Sequence, residues 1–144
     1  MADEMARTSL PFMAKGILTA GDARAAVDAG ASAVLVSNHG GRQLDGAPSA
    51  LDQLPEIVAE AGAELEIAFD SGIRRGSDLV TALALGADVV VMGRAPAMAL
   101  AADGEAGVRR LHALLRDEMV TVMRLLGRAT IADLGPDVVA PAPS

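Results

Sequence analysis

The chain has 144 residues, 51% of them hydrophobic and 22% charged. That is enough for one domain with its own core, since a chain near this size buries roughly 70% of its unfolded surface. Twelve basic against nineteen acidic side chains leave a net charge of -7, which opposes a general nucleic-acid or anionic-membrane surface; the absence of cysteine removes disulfides, thiolate metal sites and thiol catalysis.

No apolar run approaches the ~20 residues of a membrane span, and MADEMARTSL is too acidic and polar for a secretory signal, so a cytoplasmic location is the expectation. Residues 1–7 read as an N-terminal tail. PFMAKGIL (11–18) predicts a first strand broken at Gly16, and Thr19 caps a helix that Gly30 stops. ASAVLVS (31–37) is a second strand, followed by the turn-rich loop NHGGRQLDGAPS. Leu51, Leu54, Ile57, Val58 and Ala61 recur at helical spacing, with Ser49 as the expected cap and Gly62 as the stop. ELEIAF (64–69) predicts a third strand, DSGIRRGSD a glycine turn, and DLVTALALG a helix ending at Gly86. ADVVVMG (87–93) predicts a fourth strand, GRAPAMALAA a loop or short helix, and residues 105–127 a long amphipathic helix. ATIADLGPDVV reads as a small capping element and 140–144 as a loose tail.

Strand and helix units that alternate four times imply a parallel α/β sheet. A small doubly wound open sheet and half of an eight-fold barrel both fit this period, because a complete barrel needs ~250 residues. In either architecture ligands bind at the C-terminal strand ends, where the polar and glycine-rich positions gather.

Three such places carry chemistry. In SNHGGRQLDG (37–46), His39 can exchange a proton near neutral pH, Arg42 offers a fork for a carboxylate, and the two glycines allow close backbone approach. The same residues also suit an ordinary solvated loop. DSGIRRG (70–76) and MGRAP (92–96) each pair glycine with arginine; their backbone N–H groups, helix N-termini and the guanidinium groups of Arg74 and Arg94 would form a phosphate pocket. Lys15, at the first strand's end, is a further cation for the same mouth. His112 reads as a surface or packing histidine, and the methionines as core filler.

KGI (15–17), SNHGGRQLDG, DSGIRRGSD (70–78), ALALGAD (82–88) and GRA (93–95), in this order and spacing, resemble the FMN-dependent L-2-hydroxy acid oxidases and dehydrogenases of the glycolate, lactate and mandelate types. The resemblance spans residues 8–139 and implies strands five to eight, with their helices, of a TIM (β/α)8 barrel. It further implies FMN as cofactor and a small 2-hydroxy acid as substrate. His39 would then be the general base and Arg42 the substrate-carboxylate clamp. Lys15 and Ser37 would contact the flavin ring, and Asp70, Ser71, Gly72, Arg74, Gly93 and Arg94 the ribityl and phosphate groups. No metal is expected. The family more often has glycine where Ser71 stands, and the half of the family fold that carries the active-site tyrosines has no counterpart here. A half-barrel would leave two strand edges open, with Val34, Val36, Ile67 and Val89 or Val91 partly exposed. The expected partner is therefore the N-terminal barrel half or a second copy of the chain. A non-catalytic half-barrel that binds FMN or phosphate is the alternative reading.

Overall fold

The structure, a computed structural model, describes residues 9–140; the expected tail at 1–7, and all but the first residue of the expected tail at 140–144, lie outside them. Four strands, β1 (Met13–Ile17), β2 (Ala33–Val36), β3 (Glu66–Phe69) and β4 (Val89–Val90), form one sheet in sequential order, each parallel to the next. The connections are helical, as parallel pairing demands: α1 (Ala20–Asp28), α2 (Ala50–Ala61) and α3 (Gly76–Ala84). A last helix, α4 (Arg94–Leu125), is broken by non-helical backbone at Asp103 and Gly104, which separates a short first segment from a long second one. Two single turns, Ile131–Asp133 and Pro136–Val138, make the small capping element. Among the described residues no helix is long and apolar enough to cross a membrane.

Thr19 caps α1 as expected, its Oγ1 accepting the Asp22 amide at 3.0 Å. Ser49 does not: α2 starts behind it without a side-chain cap bond, and the helix instead buries Ala50, Leu54, Ile57 and Ala61. Packing against the sheet, rather than a cap, holds that end. The fourth strand is far shorter than 87–93, because β3, its only neighbour among the described residues, ends at Phe69. A single further bond, from the Val91 amide to the Phe69 carbonyl at 2.8 Å, extends the pairing.

The core lies between the sheet and its helices. Val34, Val36, Ile67 and Phe69 pack there with Ala23, Ala26, Leu54 and Ile57, all essentially inaccessible. This corrects the expectation that Val34, Val36 and Ile67 line an open inner face: they occupy the helix-facing side. By the two-residue alternation of a strand, the opposite face carries Met13, Lys15, Ala33, Leu35, Ala68, Val89 and Val91. Ala33, Leu35 and Ala68, midway across the sheet, are buried, and exposure concentrates at its edges, with Met13 at 46%, Val89 at 42% and Val91 at 38%.

One irregularity in β1 sets the site. Lys15 pairs with Leu35 but Ile17 with Val36, so Gly16 is an extra residue, a bulge with φ +88° that glycine adopts without strain. Without it Lys15 and Ile17 would share one face. With it, Ile17 enters the core while Lys15 faces the opposite side.

Candidate active site at the strand ends

The loops leaving all four strands converge on a pocket of about 540 Å³, within the ~300–1,000 Å³ typical of small-ligand sites. It is lined by Lys15 from β1, His39, Gly40 and Arg42 after β2, residues 70–74 after β3, and residues 91–95 with Ala97 and Met98 after β4. Four cations, Lys15, Arg42, Arg74 and Arg94, face one carboxylate, Asp70. A chain of net charge -7 has thus gathered positive charge at one mouth. Lys15 is paired with Asp70 at 2.9 Å, whereas Arg42, Arg74 and Arg94 form no ion pair among the described residues. Three exposed, unpaired guanidinium groups around a concavity suit an anionic ligand.

Asp70 is the hub. Its carboxyl loses solvation by burial, which alone would raise its pKa, but hydrogen bonds from Ser37, Lys15 and Ser71 outweigh that and hold it below the ordinary carboxylate value. Lys15 Nζ also donates to Ser37 Oγ at 3.2 Å, and Ser71 Oγ donates to Asp70 Oδ1 at 2.7 Å. Ser37 is buried beneath the pocket rather than on its wall.

The loop after β2 winds into one tight turn, His39–Gly41, closed by the Gly41 amide donating to Asn38 Oδ1 at 3.1 Å. His39, Gly40 and Gly41 all lie at positive φ, 57°, 67° and 73°. His39 is exposed, and its ring finds no hydrogen-bond partner among the described residues. Gly40 has a use that residue types alone did not disclose: a Cβ there would sit 2.9 Å from Arg94 Nη2. The guanidinium of one loop rests where the next loop lacks a side chain.

The two Gly-Arg turns differ. Asp78 Oδ2 accepts the Arg74 and Arg75 amides at 2.8 and 2.9 Å, and Glu118 Oε2, from α4, accepts the Gly76 amide at 2.7 Å. The start of α3 is therefore already supplied with carboxylates. At α4, Gly93 provides no side-chain cap, and Gly93, Arg94 and Ala95 line the pocket, leaving that helix start open to an anion. Asp78 and Glu118 were not visible as site residues in the sequence; an acidic residue three positions after Arg75, at the place where a capping-box carboxylate reaches back, is the one signal that marks the former. Among the described residues no cluster of metal-ligating side chains occurs, and His112 is exposed on α4.

A model of the FMN-dependent dehydrogenase family matches residues 2–141. The chain belongs to that family. It is 49% identical over 127 residues to glycolate oxidase 3 of Oryza sativa subsp. indica, covering 88% of this chain and 35% of that protein. To the L-lactate oxidase of Nostoc sp. it is 50% identical over 125 residues, covering 87% and 34%. To the pre-mycofactocin synthase of Mycobacterium tuberculosis (strain ATCC 25618 / H37Rv) it is 48% identical over 132 residues, covering 91% and 33%. A solved mandelate oxidase with benzoyl-formic acid superposes with a TM-score of 0.86 at 49% identity, over 91% of this chain and 39% of the other. The chain spans about a third of the length of these curated relatives. Its four parallel strand-helix units are half of a TIM barrel, which decides against the doubly wound sheet.

Proposed function

We propose that the pocket holds FMN and a small L-2-hydroxy acid, and that the chain is the C-terminal half of an oxidoreductase producing the 2-oxo acid. The observation that carries this reading is the convergence of Lys15, His39, Arg42, Arg74 and Arg94 on one cavity. The residues fit the cofactor: unpaired Arg74 and Arg94, the open start of α4 and the Gly72 and Gly93 backbone would hold the phosphate and ribityl groups, and Lys15 would face the ring. When bound, FMN supplies the two-electron acceptor. Arg42 holds the substrate carboxylate, and His39 takes a proton from the substrate as the electrons leave it. The Lys15 ammonium, anchored by Asp70 and Ser37, presents fixed positive charge to the ring.

A catalytic imidazole needs a partner that fixes its tautomer and orientation, and His39 has none among the described residues. The complementary half of the barrel is proposed to supply it, and to cover the edges of β1 and β4. The same observation favours the second reading, a half-barrel that binds FMN or phosphate without turnover when alone. Anaerobic bleaching of the flavin by glycolate, lactate or mandelate decides between them. In the FMN-loaded assembly wild type is expected to bleach and His39→Gln to lose reduction by at least a hundredfold. Undiminished reduction in the variant would remove His39 from the role of base.

A further inference from the structure

We infer that Ser71 is a positioning residue for His39: its hydroxyl, together with that of Ser37, clips the backbone of residues 38–40 to the Asp70 carboxylate. A serine hydroxyl has one proton to donate and two lone pairs to accept with. Ser71 Oγ donates to Asp70 Oδ1 and accepts the amides of Asn38 and Gly40, both at 3.3 Å. Ser37 Oγ accepts from Lys15 Nζ at 3.2 Å and from the His39 amide at 3.1 Å, and Lys15 is itself paired with Asp70 at 2.9 Å. Three consecutive amides, those of Asn38, His39 and Gly40, are thus held by two hydroxyls, one bonded to the Asp70 carboxylate and the other joined to it through Lys15. The Ser71 hydroxyl has no donor or lone pair to spare for a ligand, so it serves the loop rather than the cofactor.

In this chain that hold falls on strained backbone. His39 sits at φ 57° and Ser71 at φ 89°, the only two non-glycine residues at positive φ among those described. Conformations of this kind persist only where the surroundings over-determine them. The two strained residues lie on adjacent strand ends and are tied to each other. Strain at Ser71 brings its Oγ beneath the Asn38 and Gly40 amides, and those bonds keep His39 in the backbone conformation that carries its ring to the pocket.

The inference rests on the proposed role of His39 only in its catalytic consequence, and Ser71→Gly separates the two. Glycine adopts φ 89° freely, so the variant loses the hydroxyl while relieving strain. The thermal midpoint of the chain is expected to hold or rise. Amide exchange at Asn38 and Gly40 accelerates at least tenfold, α1 amides are unchanged, and the His39 HN–Hα coupling and carbon shifts move toward negative φ. Ser71→Ala, which keeps the strain, accelerates the same amides and lowers the midpoint. In the FMN-loaded assembly Ser71→Gly lowers the rate of flavin reduction at least tenfold at saturating substrate, with KM little changed. Unaltered exchange and coupling in Ser71→Gly would overturn the clip whether or not the wild-type assembly reduces flavin. Altered exchange with an undiminished reduction rate would overturn the positioning role. A wild-type assembly that never bleaches would count against the proposed reaction instead, leaving the exchange and coupling measurements to decide the clip.

Discussion

Gly40 and Gly41 form a natural pair for testing whether Arg94 belongs to an anion site. Both lie in the left-handed region, at φ 67° and 73°, so alanine at either position carries the same backbone penalty, about 1–2 kcal/mol. They differ in what a Cβ meets. At Gly41 nothing lies within 4 Å; at Gly40 the Arg94 Nη2 lies at 2.9 Å and Cζ at 3.3 Å. The backbone cannot give, but the far end of an exposed arginine can, so the added methyl displaces the guanidinium at little further cost in stability. Gly40→Ala and Gly41→Ala should therefore match in denaturant midpoint and diverge in ligand affinity. If Arg94 contributes one charge-assisted hydrogen bond to phosphate, its displacement costs up to about 1.5–3 kcal/mol, ~10-fold to 150-fold in affinity. Calorimetric titration with FMN and with riboflavin, which lacks the phosphate, isolates that contribution. Gly40→Ala should narrow the preference for FMN over riboflavin, and Gly41→Ala should preserve it. Equal preferences in the two variants would refute the assignment of Arg94 to the phosphate.

The remaining perturbations probe the frame. Gly16→Ala meets no atom within 4 Å, yet forces alanine to φ +88°; about 1–2 kcal/mol should be lost in urea unfolding, and a neutral result would remove the bulge from the account of how Lys15 is aimed. Gly76→Ala should cost more, about 3 kcal/mol, because its Cβ would lie 2.3 Å from the Met119 backbone nitrogen and two helices must part. For Asp70 the native pKa is lowered, so its contribution to stability is complete above about pH 4 and is lost as pH falls through the native value. Asp70→Asn should thus destabilise by about 1–2 kcal/mol at neutral pH and flatten the acid limb of the stability profile, and an unchanged limb would show that Asp70 is not its source.

The order of elements was legible because strand and helix periods alternate cleanly between glycine stops, and the motifs sat where parallel sheets place ligands. Which face each strand turned inward was harder. In ASAVLVS both faces of the strand are apolar, so a period of two is invisible in hydrophobicity. The polar ends carried the missing signal, since Ser37 shares its face with Leu35, and Asp70 with Ala68, which leaves Val34, Val36, Ile67 and Phe69 to the helices. The uses of the glycines and serines were beyond sequence reasoning. Whether Gly40 admits a ligand or an arginine, and whether Ser71 faces a cofactor or a neighbouring loop, depends on contacts between residues dozens of positions apart. The cap at Ser49 failed for a related reason, because burial of one helix face can fix a helix end that lacks its hydrogen bond.

The exposed edges bring the fold and the proposed chemistry to one measurement. Of the strands, β1 and β4 each pair on one side only, and the apolar residues left most open on the inner face, Met13, Val89 and Val91, stand at those two edges. Met98, on the pocket wall beside β4, is also exposed. Unpaired edges bordered by apolar surface favour association. Two copies about a two-fold axis would place β4 of each beside β1 of the other, close an eight-strand barrel and duplicate the His39 and Arg42 site; a complementary half of different sequence would close it around one site. Sedimentation equilibrium of the 14.6 kDa chain, with and without FMN, should give a species of at least twice that mass. FMN should strengthen it if both halves touch the cofactor. Val91→Lys, which places a charge at the β4 edge, should shift the equilibrium toward monomer without altering the melting of α1 and α2. A monodisperse species of single-chain mass that unfolds cooperatively would refute the claim, because it would mean that the edges and the inner face are stable against water as they stand.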